Sequence, residues 1–330
     1  MKDPLVSIVT VSKNSALFIE DNLLSVKGQD YPNIEHIVID GGSTDSTVDI
    51  LRKYKNVRWI SEPDEGVTDA INKGISMSSG EILAIQNTDD AYYSADAVSK
   101  AVALMMRHAN AEVIFGNCAF VDMNGRVIQY FRGGGRRFNY PALLCTEITI
   151  PLPSAFIRRS ALEAIGGKLE CSMVPDWELW ALIGLEFPIK YVPKTFGIFR
   201  KRTDQTSASP GFARESAPQQ RVVLDKIFQK PGLPSEIGVL QSRAYAGTYR
   251  NQASVFINIG DRKAARRCLY QAIRLYRPYL FNIVTLARLL RALGFGKLVD
   301  PASALRRRLS KSDVPLKDNE VVNWWRHDNL

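Results

Sequence analysis

GEILAIQNTDD, residues 80–90, is the stretch whose reading decides the fold. Ile82, Leu83, Ala84 and Ile85 read as a buried strand. That strand runs straight into Asn87, Thr88, Asp89 and Asp90. Two adjacent carboxylates therefore close a core strand, with no lysine or arginine beside them.

Working outward, the first 115 or so residues alternate strand and helix signals. Strands are expected at Val6–Val11, His36–Asp40, Val57–Ser61, Glu81–Gln86 and Val113–Gly116. Helices are expected at Ala16–Lys27, Thr47–Lys55, Val67–Ser76 and Ala95–Arg107. Alternation of this kind implies right-handed crossovers and a parallel sheet with helices on its faces. Ligands of such sheets sit outside the carboxyl ends of the strands. Asn124-Gly125 between two strand-like runs is a hairpin signal. RGGGRRF, residues 132–138, is a basic glycine-rich loop that matches no phosphate motif. No GxGxxG follows a strand and no Walker lysine pattern occurs, which argues against dinucleotide and P-loop chemistry. From Pro231 onward the pattern is helical. Ala253, Phe256, Gly260, Asp261, Ala265, Leu269 and Ala272 have the spacing of one tetratricopeptide-like hairpin.

The chain has 330 residues, 45% apolar and 23% charged, as in an ordinary globular protein. No signal peptide is expected, because the first apolar run follows no basic segment. No stretch approaches the ~20 apolar residues of a membrane span. Cys118, Cys145, Cys171 and Cys268 form no CxxC pair and read as plain core residues in a reducing compartment. The net charge of +9 is uneven. Residues 241–330 hold 17 Lys+Arg against 6 Asp+Glu, a net of +11, so residues 1–240 carry a net of −2. A basic tail suits an anionic surface, and it equally suits a solvated helical face. Nucleic acid is not the expected partner, since no recognition module is present.

Asp40 ends the second strand, just before GGST, and Asp89 and Asp90 end the fourth. All three should converge on one sheet edge. Uncompensated carboxylates so placed drive one another toward protonation unless a cation binds. Mg²⁺ and Mn²⁺ take oxygen ligands and commonly use one or two carboxylates plus substrate phosphates. Capping of the helix near Ala95 would account for one acid, not for two with Asp40 at the same edge. Asp40 taken alone is also a common turn residue before Gly-Gly.

VSIVTVSKN, YPNIEHIVIDGGSTDST, SEPDEGVTDAINKGI and GEILAIQNTDD, in this order, resemble the successive motifs of family 2 glycosyltransferases. The resemblance covers residues 5 to about 207. It implies a GT-A fold: a Rossmann-like, mostly parallel sheet with helices on both faces, here with a C-terminal helical extension. It places Asp40 at the nucleobase, and Val11 and Ser12 against the base and ribose. Asp69 and Asn72 fall in the helix on the nucleotide side. Asp89 and Asp90 stand at the DxD position, Asp90 as the metal ligand and Asp89 as the ribose or sugar contact and second candidate ligand. In VPDWELW, residues 174–180, Asp176 matches the base that takes the proton from the acceptor hydroxyl in inverting members. From the residues alone, Asp176 reads equally as a helix cap, with Glu178 a first-turn acid. The family often closes with a segment like YRxHxGQTS, and this chain has FRKRTDQTS, residues 199–207. The histidine position is Arg202, which cannot ligate a cation but can pair with the diphosphate.

These readings predict an inverting glycosyltransferase with Mn²⁺ or Mg²⁺ as cofactor. It would use a nucleotide-diphosphate sugar, expected to be UDP-linked, and a glycan or lipid-linked glycan acceptor in cell-surface polysaccharide synthesis. The expected domains are 1–230 (nucleotide-binding half 1–116, acceptor-side half 117–230) and a basic helical extension, 231–330. The expected location is cytoplasmic, peripheral on the inner face of the plasma membrane. In YLFNIVTLARLLRALGF, residues 279–295, Asn282, Thr285, Arg288 and Arg291 form a polar stripe. Such a helix suits a membrane interface with its arginines toward lipid head groups. It equally suits burial of the wide apolar face against the hairpin, which is the expectation for most of it. Arg306, Arg307 and Arg308 follow. A glycoside hydrolase would need no Asp40 or strand-end acid pair. A non-catalytic scaffold with a decayed transferase domain is the alternative, and it predicts an altered DxD or base.

Overall fold

The computed structural model describes residues 3–132, 138–202, 205 and 209–295. They fall into two compact units. One holds residues 3–132, 138 and 150–201, and the other holds 139–149 and 202–295 where described. The boundary expected at residue 230 thus lies inside the second unit. Helix Pro210–Phe228 belongs there because its Ala213 is buried with Ala253, Phe256 and Ala265.

The first unit is built on a sheet of order β3-β2-β1-β4-β8-β6-β9-β5, with β7 beside β6. The strands are β1 Val6–Ser12, β2 Ile34–Asp40, β3 Val57–Ser61, β4 Ile82–Asn87 and β5 Ala91–Tyr92, then β6 Val113–Val121, β7 Val127–Phe131, β8 Ala155–Arg158 and β9 Ile189–Arg200. The helices of this unit are α1 Ile19–Lys27, α2 Thr47–Leu51, α3 Val67–Met77, α4 Ala97–Arg107, α6 Arg159–Ala164 and α7 Pro175–Glu186, while α5 Tyr140–Leu144 lies in the second unit. Strands β1, β2, β3 and β4 run parallel, as expected. Every residue of β1 is buried, as a strand covered on both faces must be. Val6 and Ile8 pack with Val98, Val102 and Met105 of α4. On the other face Gly74 of α3 lies so close to Val9 and Ile39 that a Cβ there would collide with Val9. The later strands add antiparallel pairs, including the β6–β7 hairpin, whose Gly125 has φ +74°. Of RGGGRRF, residues 133–137 lie outside the described residues.

Register brings the strand ends together. Ser12 pairs with Asp40, Asp40 with Ser61, and Val11 with Asn87. All four cysteines are buried and unbridged, as expected.

The second unit is helical: α8 Pro210–Phe228, α9 Ser235–Gly238, α10 Gln241–Asn258, α11 Arg262–Leu275 and α12 Ile283–Ala292 accompany α5. Helices α10 and α11 form the expected hairpin. Gly260 turns it at φ +84°, and the Asp261 carboxylate caps α11 by accepting from the Ala264 N–H. The orientation of α12 corrects an expectation. The polar stripe faces inward and much of the apolar face points to solvent. Thr285 is buried, the Arg288 guanidinium donates to the Arg250 carbonyl, and Ile283, Leu286 and Leu293 are exposed. The surface that α12 meets offers both a backbone acceptor and an apolar cluster. Arg250 offers a carbonyl to Arg288, and Leu289 and Ala292 of α12 join the cluster of Ala253, Phe256, Ala265 and Leu269. Arg306, Arg307 and Arg308 lie outside the described residues.

Candidate active site

The segments SKN and GGSTD, which follow β1 and β2, are stitched together by their own polar groups. The Asn14 N–H donates to Ser43 Oγ (2.7 Å), the Thr44 N–H to Asn14 Oδ1 (2.8 Å) and the Ala16 N–H to Asp45 Oδ2 (3.0 Å). Asn14 takes φ +48°, a conformation asparagine tolerates better than most residues. Asp40 is fully buried at the floor of this edge. Its carboxylate accepts from the Ser43 N–H (2.9 Å), Ser43 Oγ (2.5 Å) and Ser61 Oγ (2.7 Å). Beside it the Ser12 hydroxyl is buried without a partner, and Val11 gives its carbonyl to the Thr88 N–H. Asp64, which the sequence reading passed over, belongs here too. Its carboxylate lies against Gly41, where any Cβ would strike it, and Lys13 Nζ stands 3.5 Å away. The signal was the EPDEG run itself, a Pro-Asp turn facing a Gly-Gly.

The turn after β4 is braced from three sides. Asn22 of α1 donates to Gln86 Oε1 (2.8 Å) and to the Asp90 carbonyl (3.0 Å), and accepts from Thr10 Oγ1 (3.0 Å). Thr10 also meets Nε2 of His36, whose burial lowers its pKa to about 3, so the ring is neutral. Arg200, at the end of β9, is buried. It pairs with Asp21 (2.7 Å), donates to the carbonyls of Met123 (3.2 Å) and Asp89 (3.4 Å), and lies over the Phe18 ring. Neither Asn22 nor Arg200 stands out in sequence, because each acts on groups far along the chain.

Within this brace Asp90 is 1% exposed. One carboxylate oxygen accepts from Asn87 Nδ2 (3.1 Å) and the other, Oδ1, has no partner. Burial, then the charge of Asp89, push its pKa well above the usual carboxylate range. Asp89 is half-buried. An orphaned buried carboxylate oxygen with a second acid beside it is the donor set a hard divalent cation takes, so these residues fit Mg²⁺ or Mn²⁺. No cluster of three or more His, Cys, Asp and Glu occurs among the described residues, and the remaining ligands would come from substrate and water.

Asp69 is in the first turn of α3, paired with Lys73 (3.1 Å), whose hydrogen bond lowers the Asp69 pKa. Asn72 lies on the same helix. Its amide donates to the Leu169 carbonyl (2.9 Å) and accepts from the Leu169 N–H (2.9 Å), so both its polar groups are committed. One turn earlier Thr68 Oγ1 donates to the Cys171 carbonyl (2.6 Å). Glu178 of α7 is buried and accepts from the N–H groups of Glu170 (2.9 Å) and Cys171 (2.7 Å). The 169–171 segment thereby ties α3 to the start of α7. There Asp176 follows Pro175 in the first turn. Its pKa is raised by burial, against the opposing pull of the Trp177 and Asp176 N–H groups. Arg202 is half-buried and counts with the second unit, while the carboxylates lie in the first.

Comparison with known proteins bears on the family and the fold. Residues 7–166 match the model of glycosyl transferase family 2. A PGL/p-HBAD biosynthesis glycosyltransferase of Mycobacterium bovis is 30% identical over 184 residues, which is 54% of this chain and 69% of that protein. An uncharacterized glycosyltransferase of Mycobacterium tuberculosis is 32% identical over 179 residues, 53% of this chain and 67% of the relative. Among solved structures, S. aureus TarS 1–349 in complex with UDP-GlcNAc superposes with a TM-score of 0.63 at 16% identity, covering 92% of each chain. Mannosyltransferase PcManGT from Pyrobaculum calidifontis, in complex with GDP-Man and Mn²⁺, gives 0.58 at 16%, covering 91% of this chain and 88% of that one. The fold is of the GT-A type. The chain belongs to glycosyl transferase family 2 and is a glycosyltransferase.

Proposed function

We propose that the chain moves a sugar, with inversion, from a nucleotide-diphosphate sugar to a hydroxyl of a glycan or lipid-linked glycan. The observation that carries this reading is the buried Asp90 carboxylate with an unpartnered oxygen beside Asp89, at the end of a core strand. UDP is the proposed nucleotide, supported by the likeness to TarS 1–349, whose structure holds UDP-GlcNAc. Asp40, Ser12 and Val11 take the base and ribose, with Asp69 at the rim. Asp89 meets the ribose or sugar, and Arg202 pairs with the diphosphate where relatives carry histidine. Asp90 and Asp89 hold Mn²⁺ or Mg²⁺, and a Mn²⁺ complex of a structural neighbour supports a divalent ion. When bound, the cation offsets the charge gathering on the leaving diphosphate.

Asp176 is the proposed general base. The acceptor hydroxyl oxygen attacks the anomeric carbon while the bond to the diphosphate oxygen breaks. The hydroxyl proton passes to the Asp176 carboxylate, and the nucleoside diphosphate leaves. A raised pKa makes this carboxylate a stronger base than a solvated one. The setting proposed is cell-surface polysaccharide synthesis, with the enzyme held at the inner face of the plasma membrane by its basic residues 241–330.

The test is nucleotide release from a panel of UDP-sugars with Mn²⁺, for the wild type and Asp176→Asn. The variant is expected to lose ~10²–10⁴-fold in turnover and to bind UDP within a few-fold of wild type. Turnover within a few-fold would take the base role from Asp176. No release from any nucleotide sugar would remove the transfer reading.

A further inference from the structure

Between Leu280 and Phe295 six large apolar side chains stand exposed: Leu280, Phe281 (83%), Ile283 (70%), Leu286, Leu293 and Phe295. Ile283, Leu286 and Leu293 are spaced so that they share one face of α12. Thr285 and Ala292 are buried, and Leu289, on the flank of that face, packs with Ala253 and Ala265. The polar groups that could have wetted the outer face are spent inside. Asn282 caps the helix by accepting from the Val284 and Thr285 N–H groups, and Arg288 reaches the Arg250 carbonyl (3.2 Å).

Positive charge surrounds this face. Arg266 donates to the Ala292 carbonyl (3.0 Å) at the end of α12, Arg262 approaches Gly294, and exposed Arg277 opens the 3-10 turn Arg277–Phe281. Residues 241–295 hold ten Lys+Arg and a single acid, Asp261. A second copy of the chain would bring arginine against arginine. An anionic lipid leaflet offers the two chemistries the face lacks: phosphate for the guanidinium groups, and an acyl boundary for phenylalanine and isoleucine.

We infer that the exposed face of residues 280–295 is a lipid-docking surface that seats its apolar side chains in an anionic leaflet, with Arg262, Arg266 and Arg277 at the phosphates. This rests on the proposed peripheral location and goes beyond charge attraction, because it assigns binding energy to apolar insertion. Such a surface would hold the chain where lipid-linked acceptors reside.

The test is sedimentation of the full chain with vesicles of pure phosphatidylcholine, and with an equal mixture of phosphatidylcholine and phosphatidylglycerol, at low and high salt. The double variant Phe281→Ser/Ile283→Ser is run beside the wild type. Both side chains are exposed, so the fold is not at stake, and turnover of a soluble acceptor should be unchanged. The wild type is expected to pellet with anionic vesicles and to be only partly released by high salt. The variant should bind about tenfold or more weakly, from the lost apolar contact, and be fully released. Arg277→Gln should weaken low-salt binding alone. If the wild type stays in the supernatant at low salt, the peripheral location itself falls. If wild type and variant pellet alike and salt releases both, charge holds the protein and the inserted face is overturned. If the variant abolishes self-association while vesicle binding is unchanged, the face pairs two copies and the lipid assignment is overturned.

Discussion

Asp90 states the problem of the site in one side chain. Its pKa is raised in the folded protein, so its protonated form is favoured there. The sign then follows. The stability this group contributes is complete below its unfolded pKa, and is lost as pH rises through the higher folded pKa. At neutral pH the charged carboxylate therefore weighs against the metal-free fold. Asp90→Asn keeps the size and removes the charge, so the metal-free variant should melt a few degrees higher than wild type near pH 7. Adding Mn²⁺ should raise the wild-type melting temperature and leave the variant unmoved. Lowering the pH should erase the wild-type response as protons compete for the carboxylate. A thermal-shift series with Mn²⁺ across pH reads all three. An equal metal response in both proteins would move the cation away from Asp90. Asp176, also raised, would on the proposed mechanism be used in the opposite sense. As a base it acts deprotonated, so turnover should climb with pH through a value above that of ordinary aspartate, and Asp176→Asn should flatten that limb.

At the level of elements, the coupling of α3 to α7 runs through Leu169 and Cys171. Asn72→Ala removes both hydrogen bonds to Leu169 and leaves that backbone unpaired, at a cost of ~1–3 kcal/mol. Turnover should fall with stability, while UDP affinity should stay within a few-fold. An affinity loss above tenfold with unchanged melting would restore Asn72 to the nucleotide. The strands were legible in the sequence because β-branched and apolar runs, bounded by Gly, Asn and Asp, state their own ends. The convergence of Asp40, Asp89 and Asp90 on the edge of the first unit followed from that order. The partners of Asn72 were not legible, because residues 72 and 169 meet only through the tertiary fold. Nor was the orientation of α12. Spacing shows which residues share a stripe, and the surface it meets, here with the Arg250 carbonyl as an acceptor for Arg288, decides which stripe turns inward.

Across the whole chain, charge and chemistry are segregated. Residues 1–240 carry a net charge of −2 and hold the strand-end carboxylates, while residues 241–330 carry +11. That division was visible in composition. The point where packing divides was not, because α5 at Tyr140–Leu144 already belongs to the second unit, and β9 ends at Arg200 and α8 starts at Pro210, well before the composition changes. The nucleotide is the property of the molecule that a single global measurement addresses most directly. A ligand that binds only the native state adds RT ln(1 + [L]/Kd) to its stability, ~2.7 kcal/mol at a hundredfold excess over Kd. Asp40, fully buried and held by Ser43 and Ser61, is on the proposed reading the fixed acceptor for the base, and the unpartnered Ser12 hydroxyl lies beside it. An acceptor of this kind favours a base that presents a ring N–H, as uracil does, over cytosine, whose corresponding nitrogen carries no proton. With Mn²⁺ present, UDP is therefore expected to raise the melting temperature most, and CDP least, among UDP, dTDP, GDP and CDP. Asp40→Ala should remove most of the UDP shift, because the acceptor for that N–H is lost. A larger shift with GDP would reassign the donor to a guanine nucleotide and leave the site in place. A CDP shift equal to that of UDP would mean that Asp40 does not read the base and serves only the turn it holds with Ser43.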